Sequence, residues 1–224
     1  MGKLFFAFLF VAGAFFAGEK YIGHWSFIFY EKASSYDKLM PQPIFNEVEF
    51  KSDGTAHVKV RAKDMAFDIP YLADEKYIGM KLPLKGPGEE PVRFKAKYVY
   101  SDKDGTLAIQ GTDSSAVYVR TESLLPMEKL VGTWCNEGKF TEYMEILANG
   151  LIKLKITGLT GFCVLWKDNS GIKNLTMVGG IRNAMPHTFI WQLEIKDGNL
   201  LEMTPVTNLG PQKQKTTTWK RVSN

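Results

Sequence analysis

Gly23-His24-Trp25 and Gly132-Thr133-Trp134 open two stretches of this chain that repeat one another. After the first, Glu47-Val48-Glu49-Phe50-Lys51-Ser52-Asp53-Gly54 has its counterpart in Tyr143-Met144-Glu145-Ile146-Leu147-Ala148-Asn149-Gly150. Thr55-Ala56-His57-Val58-Lys59-Val60 then matches Leu151-Ile152-Lys153-Leu154-Lys155-Ile156. Farther along, Ser101-Asp102-Lys103-Asp104-Gly105-Thr106-Leu107 answers Glu194-Ile195-Lys196-Asp197-Gly198-Asn199-Leu200, and Tyr118-Val119-Arg120 answers Trp219-Lys220-Arg221. The distance from Gly-x-Trp to the closing Arg is 98 residues (23 to 120) and then 90 (132 to 221). The landmarks keep their order while their spacing drifts. That pattern predicts a divergent tandem duplication, which has to be recognised before any fold is assigned.

Each copy reads as strands. Val58, Val60 and Ala62 alternate with His57, Lys59, Arg61 and Lys63, and Ile152, Leu154 and Ile156 alternate with Lys153, Lys155 and Thr157. Val92, Phe94, Ala96, Tyr98 and Tyr100 alternate with Arg93, Lys95 and Lys97. Period-two alternation gives a strand with one wet and one buried face, as in antiparallel sheets. Asp53-Gly54, Asp104-Gly105, Asn149-Gly150 and Asp197-Gly198 supply the glycine that tight hairpin turns favour. Roughly eight strands can be drawn per copy, enough for an antiparallel sheet to close on itself and lose its edges. The expected fold is therefore all-β, with two tandem antiparallel barrels. Helical signal is confined to Glu31 to Met40, ahead of Pro41, and reads as a lid or as a long loop. Leu82 to Pro91, rich in Pro and Gly, reads as an exposed loop.

Four segments are expected: a leader at 1–18, a first barrel at 19–122, a linker at 123–128 and a second barrel at 129–224. Leu4 to Ala17 is an uncharged, mostly apolar run behind Lys3. It is short against the roughly 20 residues of a membrane-spanning helix and has the size of a secretory signal core. The reading is a secreted or periplasmic protein, with an uncleaved anchor over residues 4–17 as the alternative. Residues 19–126 carry 15 Lys/Arg and 16 Asp/Glu, net −1, and residues 127–224 carry 12 and 8, net +4. Neither balance suits a nucleic-acid binder, whose affinity scales with the phosphates it neutralises. Cys135 and Cys163 fall in the second copy. They read either as one disulfide, which an exported protein can form, or as two buried thiols. Two cysteines make no structural zinc site.

Gly-x-Trp on a first strand with an Arg near the end of a last strand resembles the calycin signature of lipocalins, avidins and related small barrels. The resemblance implies that Trp25 stacks with Arg120 and Trp134 with Arg221 at the closed ends of the barrels. That role is structural. Each copy is shorter than a typical ligand-carrying lipocalin, and the lipocalin motif between strands six and seven is not evident. The resemblance is thus to the broad lipocalin-like class, and a fold alone assigns no function.

The chain shows no catalytic constellation. Gly-x-Ser-x-Gly, Gly-x-Gly-x-x-Gly and the Gly-Lys-Ser/Thr phosphate loop are absent. His24 and His57 are replaced in the second copy by Thr133 and Lys153, His187 follows Pro186, and no spacing suggests a metal site. Asp64 and Asp68, and Glu89-Glu90, read as loop and surface carboxylates. Asn174-Leu175-Thr176 fits a glycosylation acceptor. No enzyme activity, cofactor or metal is expected. Aromatic residues on strands either fill the barrels or line a cavity for an apolar ligand. Under the second reading, Phe94, Tyr98, Trp166 and Trp191 are the ligand-lining candidates, and the partner is a small hydrophobic or amphipathic molecule. Under the first, the chain is a structural or interaction module of the cell envelope, partnered by an envelope or extracellular protein. The membrane enters only through the N-terminal segment if that segment is uncleaved.

Overall fold

The computed structural model describes residues 19–31, 45–61, 65–82, 92–110, 115–155, 158–180, 187–206 and 215–223. The leader at 1–18, most of Glu31 to Met40 and of Leu82 to Pro91, and all of Thr207 to Gln214 lie outside them. Strands β1 (Gly23–Glu31), β2 (Glu47–Phe50), β3 (Thr55–Val60), β4 (Met65–Ala73), β5 (Tyr77–Leu82), β6 (Val92–Ser101), β7 (Thr106–Gln110) and β8 (Ser115–Arg120) follow one another around a closed antiparallel barrel. A second closed barrel holds β9 (Gly132–Asn136), β10 (Tyr143–Ile146), β11 (Leu151–Leu154), β12 (Leu159–Lys167), β13 (Lys173–Gly180), β14 (His187–Lys196), β15 (Leu200–Pro205) and β16 (Thr217–Ser223). The protein is all-β, and its two eight-stranded barrels are compatible with a lipocalin-like fold.

Closure uses the same register twice. Trp25 pairs with Arg120 across β1 and β8, and Trp134 pairs with Arg221 across β9 and β16. Several hairpins differ in length, and the one between β6 and β7 changes how the two copies correspond. Ser101 pairs with Thr106, and Lys196 pairs with Leu200. The β14–β15 turn is one residue shorter than the β6–β7 turn, so Lys196, not Glu194, is the counterpart of Ser101. Trp191 therefore stands level with Ala96.

The alternating residues sort as strand geometry demands. The first barrel encloses Trp25, Phe27, Phe45, Phe50, Tyr71, Tyr98 and Tyr118 with the aliphatic residues between them. The second encloses Leu130, Trp134, Met144, Ile152, Met177, Leu201 and Met203, a core richer in methionine and leucine.

The barrels meet wall to wall. On β12, Cys163 and Leu165 face the second barrel's core, so Trp166 faces out of that barrel. There it packs with Ile28, Val117 and Val119 of the first barrel and stacks on Phe29 at 5.8 Å. The β1–β8 register skips Ile28 at a bulge. The Thr176 hydroxyl donates to the Ile28 carbonyl at 2.5 Å and accepts the Trp166 indole N–H at 3.0 Å. Leu125, after the last strand of the first barrel, forms an isolated bridge with Leu165 of β12. At the edge of this seam Glu47 is buried between Arg61 and Lys59, with Lys59 Nζ 3.1 Å from its carboxylate. Burial alone would raise the Glu47 carboxyl, but Arg61 and Lys59 outweigh it and hold the group below the ordinary glutamate value. Arg61 also sits over the Phe162 ring of the second barrel at 5.8 Å.

Candidate functional site

One end of each barrel is closed by the same device. The Arg120 guanidinium lies 4.1 Å from the Trp25 ring centre, and that of Arg221 lies 4.4 Å from Trp134. Each indole N–H donates to the carbonyl four residues upstream, Trp25 to Tyr21 at 2.7 Å and Trp134 to Leu130 at 2.8 Å. The arginines reach further back along the same segments, Arg120 to the carbonyls of Lys20 and Ile22 and Arg221 to that of Val131. Cation–π contact and hydrogen bonding thus tie the last strand to the chain entering the first. Gly23 and Gly132 have φ of 122° and 136°, and a Cβ on Gly23 would strike the Arg120 guanidinium. In the first copy the glycine of Gly-x-Trp lets the arginine pass.

The opposite ends differ. Two residues beyond Trp25, hence on the same face, Phe27 meets the ring of its cross-strand partner Tyr118 at 5.7 Å. The Tyr118 hydroxyl donates to the Phe45 carbonyl at 3.2 Å, and Phe45 contacts Phe67. Burial raises Tyr118 above the ordinary tyrosine value. This end of the first barrel is filled with rings. In the second barrel the residue level with Phe27 is Asn136, opposite Trp219 as Phe27 is opposite Tyr118. Asn136 turns its amide to Glu142, donating to Oε2 at 2.9 Å, and accepts the Gly138 N–H.

A cup of about 140 Å³ opens here, lined by Glu142, Tyr143, Met144, Leu154, Trp191, Met203, Thr217 and Trp219. Trp191 stacks on Phe189 at 5.8 Å with 14° between the rings. The Trp219 indole donates to Thr217 Oγ1, and that hydroxyl donates to the Met203 carbonyl. Glu142 receives Lys139 Nζ at 3.0 Å. Lys139 first, and Asn136 with it, hold its carboxyl below the ordinary glutamate value. Met144 and Met203 are 1 % and 2 % exposed, so the cup ends on solid core.

The four ligand-lining candidates do not converge. Trp191 lines the cup. Tyr98 fills the first barrel's core, with its hydroxyl on the Asp74 carbonyl and its ring edge-on to Tyr21. Trp166 lies in the seam, outside both barrels, because the interior face of β12 belongs to Cys163 and Leu165. Phe94 pairs with Met80 in the β5–β6 ladder, and its side chain lies outside the described residues. Trp219, Met144 and Met203 line the cup without having been singled out. Trp219 had its place as the match of Tyr118, and the difference beside which the cup opens, Phe27 against Asn136, lies on another strand.

Other candidates resolve locally. Cys135 and Cys163 are free thiols, which corrects the disulfide alternative. Cys163 faces the second barrel's core, whereas Cys135 lies on the face of β9 opposite Trp134, so a sheet separates them. Burial pushes the Cys163 thiol up to about 12. Asn174 is 4 % exposed and donates to the Ile172 carbonyl, so the folded acceptor sequence is closed to a glycan. His24 stands 3.6 Å from Glu47, and His57 pairs with Asp68 at 2.8 Å. The His187 side chain, Asp64 and Glu89-Glu90 lie outside the described residues. Among the described residues no group of three His, Cys, Asp or Glu could hold a metal ion.

A groove of about 360 Å³ runs along the seam between Phe29, Val99, Ala108 and Val117 of the first barrel and Trp166 and Asn169 of the second. Comparison with known protein families, with curated proteins and with solved structures finds no match to this chain.

Proposed function

We propose that this chain is an exported, lipocalin-like binding protein that holds a small hydrophobic or amphipathic molecule at the open end of its second barrel and catalyses no reaction. The cup beneath Trp191 and Trp219 carries this reading. It is concave and mostly apolar, with a few polar groups at its rim, as small-molecule sites are. Among the described residues, Glu142 and Tyr143 are the titratable side chains of its lining, and Glu142 is already engaged by Lys139 and Asn136. That arrangement supports holding over reacting. Export rests on the apolar run from Leu4 to Ala17 behind Lys3. The test is native mass spectrometry of the full chain from its own export route, with Trp191→Ala beside it. The expected result is a polypeptide lacking its leader and carrying a small molecule that the variant loses. A polypeptide without retained mass that also binds no apolar probe would overturn the reading.

A second reading, an interaction module of the cell envelope, is favoured by the groove along the seam, where Val99 is 45 % exposed on an outer wall. It predicts that Val99→Arg abolishes capture of a partner protein while Trp191→Ala does not.

A further inference from the structure

The geometry points to a planar aromatic molecule bearing an N–H or O–H donor, of the indole or phenol class, as the occupant of the second barrel's cup. This inference rests on the binding reading above and narrows it.

Size comes first. The cup measures about 140 Å³ and is backed by Met144 and Met203, both buried in the core that surrounds Trp134. A cavity of about 150 Å³ accepts one benzene ring. A long acyl chain would find room for its first few carbons, and the remainder would stay in water.

Shape and chemistry point the same way. Trp191 is stacked nearly parallel on Phe189, so flat faces already set the direction of packing beside the cup. Two indoles, one phenol and two thioethers contribute to the lining. Aromatic rings and thioether sulfurs gain more from a polarisable ring than from an alkyl chain of equal area. The rim adds an acceptor. Glu142 is ionised at neutral pH, and each of its oxygens accepts one bond, from Lys139 and from Asn136. A carboxylate has about four lone-pair sites, so one ligand donor can be added. The Thr217 hydroxyl donates to the Met203 carbonyl and accepts the Trp219 N–H, which leaves it one lone pair; the charged Glu142 carboxylate is the stronger acceptor of the two.

Four probes separate the terms. Indole and octan-1-ol have the same number of non-hydrogen atoms and differ in planarity. 1-Methylindole removes the donor, and dodecan-1-ol lengthens the chain. Titrations of the full chain labelled with 5-fluorotryptophan report Trp191 and Trp219 at the cup, Trp166 at the seam, and Trp25 and Trp134 at the closed ends. Indole is expected to shift Trp191 and Trp219 alone and to bind about 3- to 10-fold tighter than octan-1-ol. Dodecan-1-ol should bind no tighter than octan-1-ol. Glu142→Leu, which leaves no side-chain acceptor at this position, should bring indole and 1-methylindole to equal affinity while the Trp134 resonance keeps its position. If affinity climbs about fourfold with each added methylene through dodecan-1-ol, the cup takes chains and the inference falls while the binding reading stands. Equal binding of indole and 1-methylindole by the unmodified chain removes the donor requirement and overturns the inference in the same way. If none of the probes moves Trp191 or Trp219, both fall.

Discussion

At the scale of single residues, the repeated Gly-x-Trp is a packing instruction in which each letter has a separate cause. The tryptophan fills the closed end and spends its N–H on the carbonyl four residues before it. Both glycines take a positive φ, and the missing Cβ of Gly23 leaves a path for Arg120. Gly132→Ala should therefore destabilise the protein by about 1–3 kcal/mol through backbone strain, read as a lower urea midpoint with an unchanged slope. Glu47 sets a pH dependence. Its carboxyl is held below the ordinary value of 4.5, so its contribution to stability is full above that pH and is lost as the pH falls through the lower folded value. Stability measured from neutral pH downward should drop below about pH 4.5. The drop should be smaller in Glu47→Gln, which is less stable than the parent at neutral pH.

At the scale of elements, the β1 bulge and the outer face of β13 are made for each other. Ile28 has no register partner at the bulge, and its buried carbonyl accepts a hydrogen bond from a β-branched hydroxyl on the other barrel. Thr176→Val keeps the shape and removes the hydroxyl. It strands both the Ile28 carbonyl and the Trp166 indole N–H, so a loss of about 1–3 kcal/mol is expected in chemical denaturation. The turns were legible because Asp-Gly and Asn-Gly mark hairpins, and the strands because their alternation is regular. The exact correspondence of the two copies was not. One residue fewer in the β14–β15 turn shifts β14 relative to β6, and only the ladder pairs reveal that Trp191 answers Ala96.

At the scale of the molecule, two barrels share one seam, and the side chains at its centre are buried like those of a core. Ile28 is fully buried and Trp166 is 8 % exposed, although neither points into a barrel. The barrels should unfold together. In urea, the fluorotryptophan signals of Trp25 and Trp134 are expected to disappear at one midpoint. Trp166→Ala, costing roughly 3–5 kcal/mol, should separate them; two midpoints in the unmodified chain would mean independent barrels. The sequence by itself determined the all-β class, the duplication and most strand faces. Alternation, turn chemistry and repeated landmarks are local, and each residue carries its share of them. It could not place Trp166, Trp191 and Trp219, three indoles on strands. Their roles depend on which wall meets the other barrel and on whether the neighbour across the barrel is Phe27 or Asn136. Those contacts join residues far apart in the chain, so tertiary structure alone decided that one tryptophan seals the seam while two line the cup.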